Sequence, residues 1–214
     1  MKPIQKTVLI TGASAGIGHA LAIKLLEHDY KVIGTSRDGS IAGIANTNFI
    51  TIPLELTETA SVNQARQWLT QHNYNIDILI NNAGVAPDIS TNQPDLESMR
   101  ATFDSNVFGL VAFTEAILPL LNAHGQVLNI SSQMGILNRP PAADSTAYRM
   151  SKAALNMYTK TLAARLKPKD ISVTSIHPGW VQTKLSSKGA PLTTQESAVG
   201  IFHLLNSQMK TGSF

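Results

Sequence analysis

Cysteine is missing from all 214 residues, and its absence removes several chemistries at once. The chain can form no disulfide, carries no thiolate nucleophile, and holds no cysteine-ligated zinc or iron–sulfur site. Charge is sparse as well: 14% of residues are charged, and 17 basic against 14 acidic side chains leave a net charge of only +3. The lysines and arginines are scattered singly. Their densest group, Arg165, Lys167 and Lys169, reads as the solvated end of a helix rather than a stripe that tracks phosphates, so no nucleic-acid partner is expected. Low net charge beside 43% hydrophobic residues excludes a disordered chain. Long hydrophobic runs are missing too. The longest, Val107–Leu121, contains Thr114, Glu115 and Pro119 and falls short of the ~20 residues that a membrane span requires. The first twelve residues lack the layout of a secretion signal, and the expectation is a cytoplasmic chain without a membrane partner. Repeats and linker-like stretches are absent, so residues 1–214 are expected to form a single domain.

What the sequence does contain is an alternation of short apolar runs with longer amphipathic stretches. Strands are expected at Thr7–Thr11, Lys31–Thr35, Asn48–Leu54, Ile76–Asn81, Gln126–Ser131 and Ile171–His177. Helices are expected over Gly16–His28, Glu58–His72, Phe103–Leu121, Thr146–Lys167 and Thr194–Ser207. The strands show no strict apolar–polar alternation, which implies burial on both faces. The fold class is therefore α/β: a doubly wound, mostly parallel sheet of the Rossmann type in three layers, with its ligand crevice at the carboxyl ends of the strands.

The first strand runs into Thr11-Gly12-Ala13-Ser14-Ala15-Gly16-Ile17-Gly18, directly before a helix. Small residues there let the backbone approach a pyrophosphate, and the helix N-terminus offers free N–H groups and a positive dipole end. The Gly-x-x-x-Gly-x-Gly spacing differs from the commoner Gly-x-Gly-x-x-Gly, yet its strand–turn–helix setting points to a dinucleotide. After the second strand comes Ser36-Arg37-Asp38. Arg37, with Ser36 and Ser14, suits the 2′-phosphate of NADP(H), whereas the adjacent Asp38 would suit the ribose of NAD(H); NADP(H) is favoured. Farther on, Tyr148 and Lys152 fall four residues apart on one helical face. A phenol titrates near 10 and is a poor acid–base group at neutral pH, but a neighbouring ammonium lowers that value. The six histidines stand outside any ligand or triad spacing, no metal is expected, and His177 reads as structural.

Taken together, these segments resemble the classical short-chain dehydrogenase/reductase family nearly end to end. Thr11–Gly18 is similar to its cofactor turn and Asn81-Asn82-Ala83-Gly84 to its central-sheet motif. Ser105-Asn106-Val107 matches the segment that carries its catalytic Asn. Asn129-Ile130-Ser131-Ser132 resembles its serine motif, Tyr148–Lys152 its active-site helix, and Pro178-Gly179-Trp180-Val181-Gln182-Thr183 the segment closing over the nicotinamide. The stretches around Tyr148 and Pro178 most resemble the sniffer-like (C-factor) carbonyl reductases. The resemblance implies that Tyr148 exchanges a proton with the substrate oxygen. It implies that Lys152 lowers the Tyr148 pKa and bonds the nicotinamide ribose, that Ser132 orients the carbonyl, and that Asn106 holds a proton relay to Lys152. Gly12, Ser14, Gly16, Ile17, Gly18, Ser36, Arg37, Glu55, Leu56, Asn82, Ala83, Gly84, Tyr148, Lys152, Pro178, Gly179, Val181 and Thr183 would bind the cofactor.

Alternatives stand beside these roles. Ser131 and Ser132 are strand neighbours that point to opposite faces, and motif position favours Ser132. Asn106 has a bland reading as a cap or bridge within a helix. Glu55 replaces the Asp that the family places near the adenine, and Arg149 adds positive charge beside Tyr148. The lid segment Leu185–Thr193, with Ser186, Ser187, Lys188 and Gly189, is short and implies an open, loosely selective pocket; Trp180 offers either an aromatic wall or packing. Arg139-Pro140-Pro141 lengthens a loop expected to border that pocket. The chain stops at Lys210–Phe214 where relatives enter a last strand, which leaves that strand, one pocket wall and any tetramer on that edge unassigned. The leading expectation is an NADPH-dependent reductase of an aldehyde or ketone. An NAD-linked alcohol dehydrogenase and an NADP(H)-binding sensor with little turnover are the alternatives. The apolar circumference of Phe103–Leu121 (Phe103, Val107, Leu110, Val111, Phe113, Ile117, Leu118) suggests a homodimer or tetramer.

Overall fold

A computed structural model describes residues 5–138, 142–186 and 189–214. The expectations for Arg139, Pro140, Pro141, Ser187 and Lys188 lie outside the described residues. Six parallel strands, β1 (Thr7–Ile10), β2 (Lys31–Ser36), β3 (Phe49–Pro53), β4 (Ile76–Asn81), β5 (Leu121–Ile130) and β6 (Ser172–Ile176), form one sheet in the order β3-β2-β1-β4-β5-β6. The order reverses between β1 and β4, and a doubly wound sheet opens its crevice at that point, beyond the carboxyl ends of the strands.

Alternate residues of each strand feed separate cores. Leu9, Ile33, Leu79, Val127 and Val173 pack on one side with Val62 and Leu69 of α2 (Thr59–Gln71), Phe113 of α4 (Leu110–Ile117) and Leu162 of α5 (Thr146–Leu166). Val8, Ile10, Val32, Ile78, Ile80 and Leu128 pack on the other, with Leu21 and Leu25 of α1 (Gly16–Leu26) and Ile201 and Leu205 of α6 (Thr194–Leu205). Both faces are covered, which is why the strands read as continuous apolar runs.

Two elements extend beyond expectation. The helix foreseen from Phe103 begins at Leu96: α3 (Leu96–Phe103) runs through a π-helical turn (Asp104–Gly109), α4 and a 3₁₀ turn (Leu118–Leu120). The helical run of 25 residues is long and apolar enough to cross a membrane, contrary to the shorter run read from the sequence, yet Phe113, Thr114 and Ile117 are fully buried in the fold. Asp95 starts it, accepting a 2.7 Å bond from the Ser98 N–H. Strand β5 likewise begins at Leu121 rather than Gln126, across an irregularity in its pairing with β4. At the sheet edge, the Gly212 N–H donates to the Val173 carbonyl and the Ser175 N–H to the Ser213 carbonyl, so the last residues lie against β6.

Candidate active site

The loops after β1, β2, β4, β5 and β6 surround a cleft of about 2470 Å³ at the carboxyl end of the sheet. That exceeds the several hundred Å³ of an ordinary small-molecule pocket and suits a long ligand beside a second one. Every cofactor residue expected from the sequence lines it except Gly18. Gly12 adopts φ +68°, and a Cβ there would sit 3.0 Å from the Ala83 backbone, so only glycine lets the two loops meet. Gly18 serves packing instead: a Cβ would overlap the Asn82 amide and the Gly12 carbonyl. Asn82 itself clamps the loops, donating to the Thr11 and Gly12 carbonyls at 2.9 and 3.0 Å, while Thr11 Oγ1 accepts from the Asn82 and Ala83 N–H groups. Helix α1 starts after Ala15, with no side-chain cap and no acidic residue in its first turn. Ala15, Gly16 and Ile17 line the cleft, so the free N–H groups of this helix start lie at its wall.

At the end of β2, Asp38 turns away from the cleft. Its Oδ1 accepts from the Ser36 hydroxyl (3.1 Å) and the Ser40 N–H (2.9 Å), and these bonds hold its carboxyl below the ordinary value. Ser36 is thereby committed to the same turn. Arg37 is exposed on the cleft wall and forms no ion pair within 4 Å among the described residues. Glu55 also folds back, accepting from the Thr57 N–H and hydroxyl at 3.2 and 2.9 Å. Arg149 contributes no free charge beside Tyr148, because Asp144 pairs with it at 2.7 Å.

Three of the four expected catalytic residues converge on the cleft. Ser132, Tyr148 and Lys152 all line it, Ser132 Oγ accepts from the Met134 N–H at 3.1 Å, and Lys152 Nζ lies 5.4 Å from the centre of the Tyr148 ring. Ser131 lines the cleft as well, but its hydroxyl donates to Asn156 Oδ1 at 2.7 Å. Lys152 is buried, donates to the Ile130 carbonyl (2.9 Å), and is pushed down to about 8 by loss of water around its ammonium. Burial also raises the Tyr148 phenol above its ordinary value, against a smaller lowering by Ser132. The expected net depression by Lys152 is therefore not what the protein alone imposes: desolvation of the phenolate dominates. Asn106 lies behind the cleft at 1% exposure, inside the π-helical turn. Its Oδ1 accepts from the Val85 N–H, and its Nδ2 donates to the Val85 carbonyl and the Ser151 hydroxyl. The Ser151 hydroxyl in turn donates to the Tyr148 carbonyl, so this side chain braces α5.

The family profile described as short chain dehydrogenase matches residues 6–191. The chain belongs to that family. The NADPH-dependent 1-acyldihydroxyacetone phosphate reductase of Schizosaccharomyces pombe is 35% identical over 198 residues, which cover 91% of this chain and 65% of the relative, just under two thirds of its length. A candidate carbonyl reductase, Sniffer, from Caenorhabditis elegans superposes with a TM-score of 0.85 at 29% identity, covering 98% of this chain and 95% of that one. A short chain dehydrogenase from Burkholderia cenocepacia, solved with NADP, does so with a TM-score of 0.84 at 25% identity, with coverages of 98% and 95%. The family is one of oxidoreductases, and the six-stranded parallel sheet between helical layers is its fold.

One contact at the start of α5 went unread in the sequence. Asp88, 2% exposed, accepts from the Ala147 N–H (2.7 Å) and the Tyr148 N–H (3.3 Å) at the start of α5. A lone Asp sixty residues from the helix it caps leaves no local pattern to read.

Proposed function

We propose that the chain is an NADP(H)-dependent reductase that converts an aldehyde or ketone to an alcohol. The observation that supports this reading most is that Ser132, Tyr148 and Lys152 line the same cleft as the glycine turn, with Lys152 Nζ 5.4 Å from the Tyr148 ring centre. The turn fits a dinucleotide: Gly12 leaves bare backbone, the α1 N-terminus is uncapped, and Arg37 on the cleft wall would pair with a 2′-phosphate, while Asp38 is spent in its own turn. When bound, the nicotinamide supplies the hydride. The protein supplies the proton. A phenol held above its ordinary value stays protonated at neutral pH, so Tyr148 Oη is charged with the proton that the carbonyl oxygen needs. The Ser132 hydroxyl donates to the same oxygen as negative charge grows there. Lys152, protonated below about pH 8, stabilises the tyrosinate left behind. Leu137, Met150, Trp180 and Leu185 are exposed apolar side chains on the cleft wall, which supports a carbonyl with an apolar arm.

NADPH oxidation measured with an alkyl aldehyde, an aryl ketone and an aromatic 1,2-diketone tests the reading. Tyr148→Phe is expected to lower kcat by about 10²–10⁴, the scale of positioned proton transfer. NADPH binding should persist. A variant that turns over as well as wild type would sink the mechanism, and wild type that binds NADPH without oxidising it would favour the sensor reading.

A further inference from the structure

We propose that Asp88 is a positioning residue that sets Tyr148 from the loop after β4, and that this loop and the catalytic helix form one clamped unit. The inference rests on the Tyr148 reading above. Helices are commonly capped by the residue that opens them, but Ser145, which precedes α5, gives no such cap. Its buried hydroxyl instead accepts from the Ser90 N–H at 2.9 Å. The N–H groups of Ala147 and Tyr148 would otherwise be left without partners next to the cleft. Asp88 supplies them from the loop after β4, with Oδ2 bonded to Ala147 and Oδ1 to Tyr148. A carboxylate at this place also complements the positive end of the helix.

One further bond fastens the same loop to the helix start, and two more brace the loop internally. The Ser145 N–H donates to the Thr91 carbonyl at 2.9 Å, and Thr91 turns its own N–H and hydroxyl back on the Asp88 carbonyl. Ser90 and Ser145, directly bonded to each other, both take left-handed conformations at φ 64° and 56°, which non-glycine residues adopt only when their surroundings hold them there. Val85, Ile89 and Ser90 of this loop line the cleft. A substrate resting on the loop therefore presses on the element that fixes the phenol. The side chain of Asp88 touches no reacting atom; it acts through the backbone of Tyr148.

The test compares Asp88→Ala, Asp88→Asn and Ser145→Ala with wild type in the full chain, with NADPH and the best-reduced carbonyl of the panel. Asp88→Ala is expected to lower kcat at least tenfold and to leave KM for NADPH within twofold, because the glycine turn and Arg37 are untouched. Asp88→Asn, which keeps an acceptor oxygen, is expected to restore most of kcat. Amide hydrogen exchange of residues 145–150 should quicken in Asp88→Ala while β1 and β2 stay protected. A kcat within twofold of wild type overturns the proposal, and so does a parallel loss of NADPH binding and thermal stability, which would mark a fold-wide role. If Asp88→Ala does not fold, Ser145→Ala decides: a drop in kcat of a few-fold supports the clamp and an unchanged kcat overturns it. If wild type reduces no carbonyl, the reductase reading fails separately, and unchanged exchange at residues 145–150 in Asp88→Ala overturns the clamp on its own.

Discussion

At Lys152 the fold carries a cost that only chemistry explains. The side chain is 4% exposed, and burial brings its pKa from 10.5 to about 8. That shift corresponds to about 3 kcal/mol of destabilisation while the ammonium is charged. Between about pH 8 and 10.5 the unfolded chain keeps this proton and the folded chain has lost it, so stability at this site rises with pH across the window. Lys152→Met is expected to raise unfolding stability at pH 7 by up to about 3 kcal/mol, less the lost bond to the Ile130 carbonyl. The advantage should shrink towards pH 10 and turnover should stop. Urea melts at pH 7 and 9.5 check the sign, and a Met variant less stable than wild type at pH 7 refutes it. Arg37 permits a second residue-scale prediction. Without an ion pair of its own among the described residues, it has a guanidinium to give to a phosphate. Removing a charge-assisted bond of ~1.5–3 kcal/mol should lower the preference for NADPH over NADH at least tenfold in Arg37→Ala. Fluorescence titration of both nucleotides measures it, and an unchanged ratio removes Arg37 from the cofactor site.

Among the elements, what was legible in the sequence follows from where side chains point. Strands buried on both faces announce themselves as TVLI, KVIGT and IDILI, and each of them is found within one residue of its expected end. Helix α3 was missed because it buries little. Leu96 is 70% exposed, and Thr102 is its one buried residue, so no apolar stripe marks it. Its start signal, Asp95 after Pro94, was there to be read. The front of β5 was missed for a related reason: Asn122, Ala123, His124 and Gly125 are polar or small, and His124 takes a left-handed φ of 61°. In the site, the glycine turn and Tyr148–Lys152 were legible because each is a local pattern in one element. The contacts that join elements, Asp88 on α5 and Asn106 on Val85 and Ser151, cross many residues and carry no spacing of their own. Asp38 and Glu55 show the same limit in reverse, since identity alone did not reveal that each carboxylate closes its own turn.

For the molecule as a whole, the apolar circumference read in Phe103–Leu121 divides into two parts. Leu110, Phe113 and Ile117 are consumed by the core, whereas Phe108 remains 63% exposed, and Met157 on α5 is 61% exposed. Glu115 ties the two helices together, accepting from the Tyr158 hydroxyl at 2.8 Å and pairing with Arg165. Large apolar side chains left in water on two fastened helices call for a partner surface, and a second copy of the same face is the simplest one that closes on itself. Neither Phe108 nor Met157 lines the cleft, so pairing here would leave the site open. Light scattering at micromolar concentration is expected to give twice the mass of one chain. Phe108→Glu with Met157→Glu should return it to a single chain, because burying two carboxylates against their symmetry mates is unfavourable. NADPH binding should survive in that variant, since the cleft is built within one chain. Wild type that scatters as a single chain would overturn the dimer and leave these two side chains without a role.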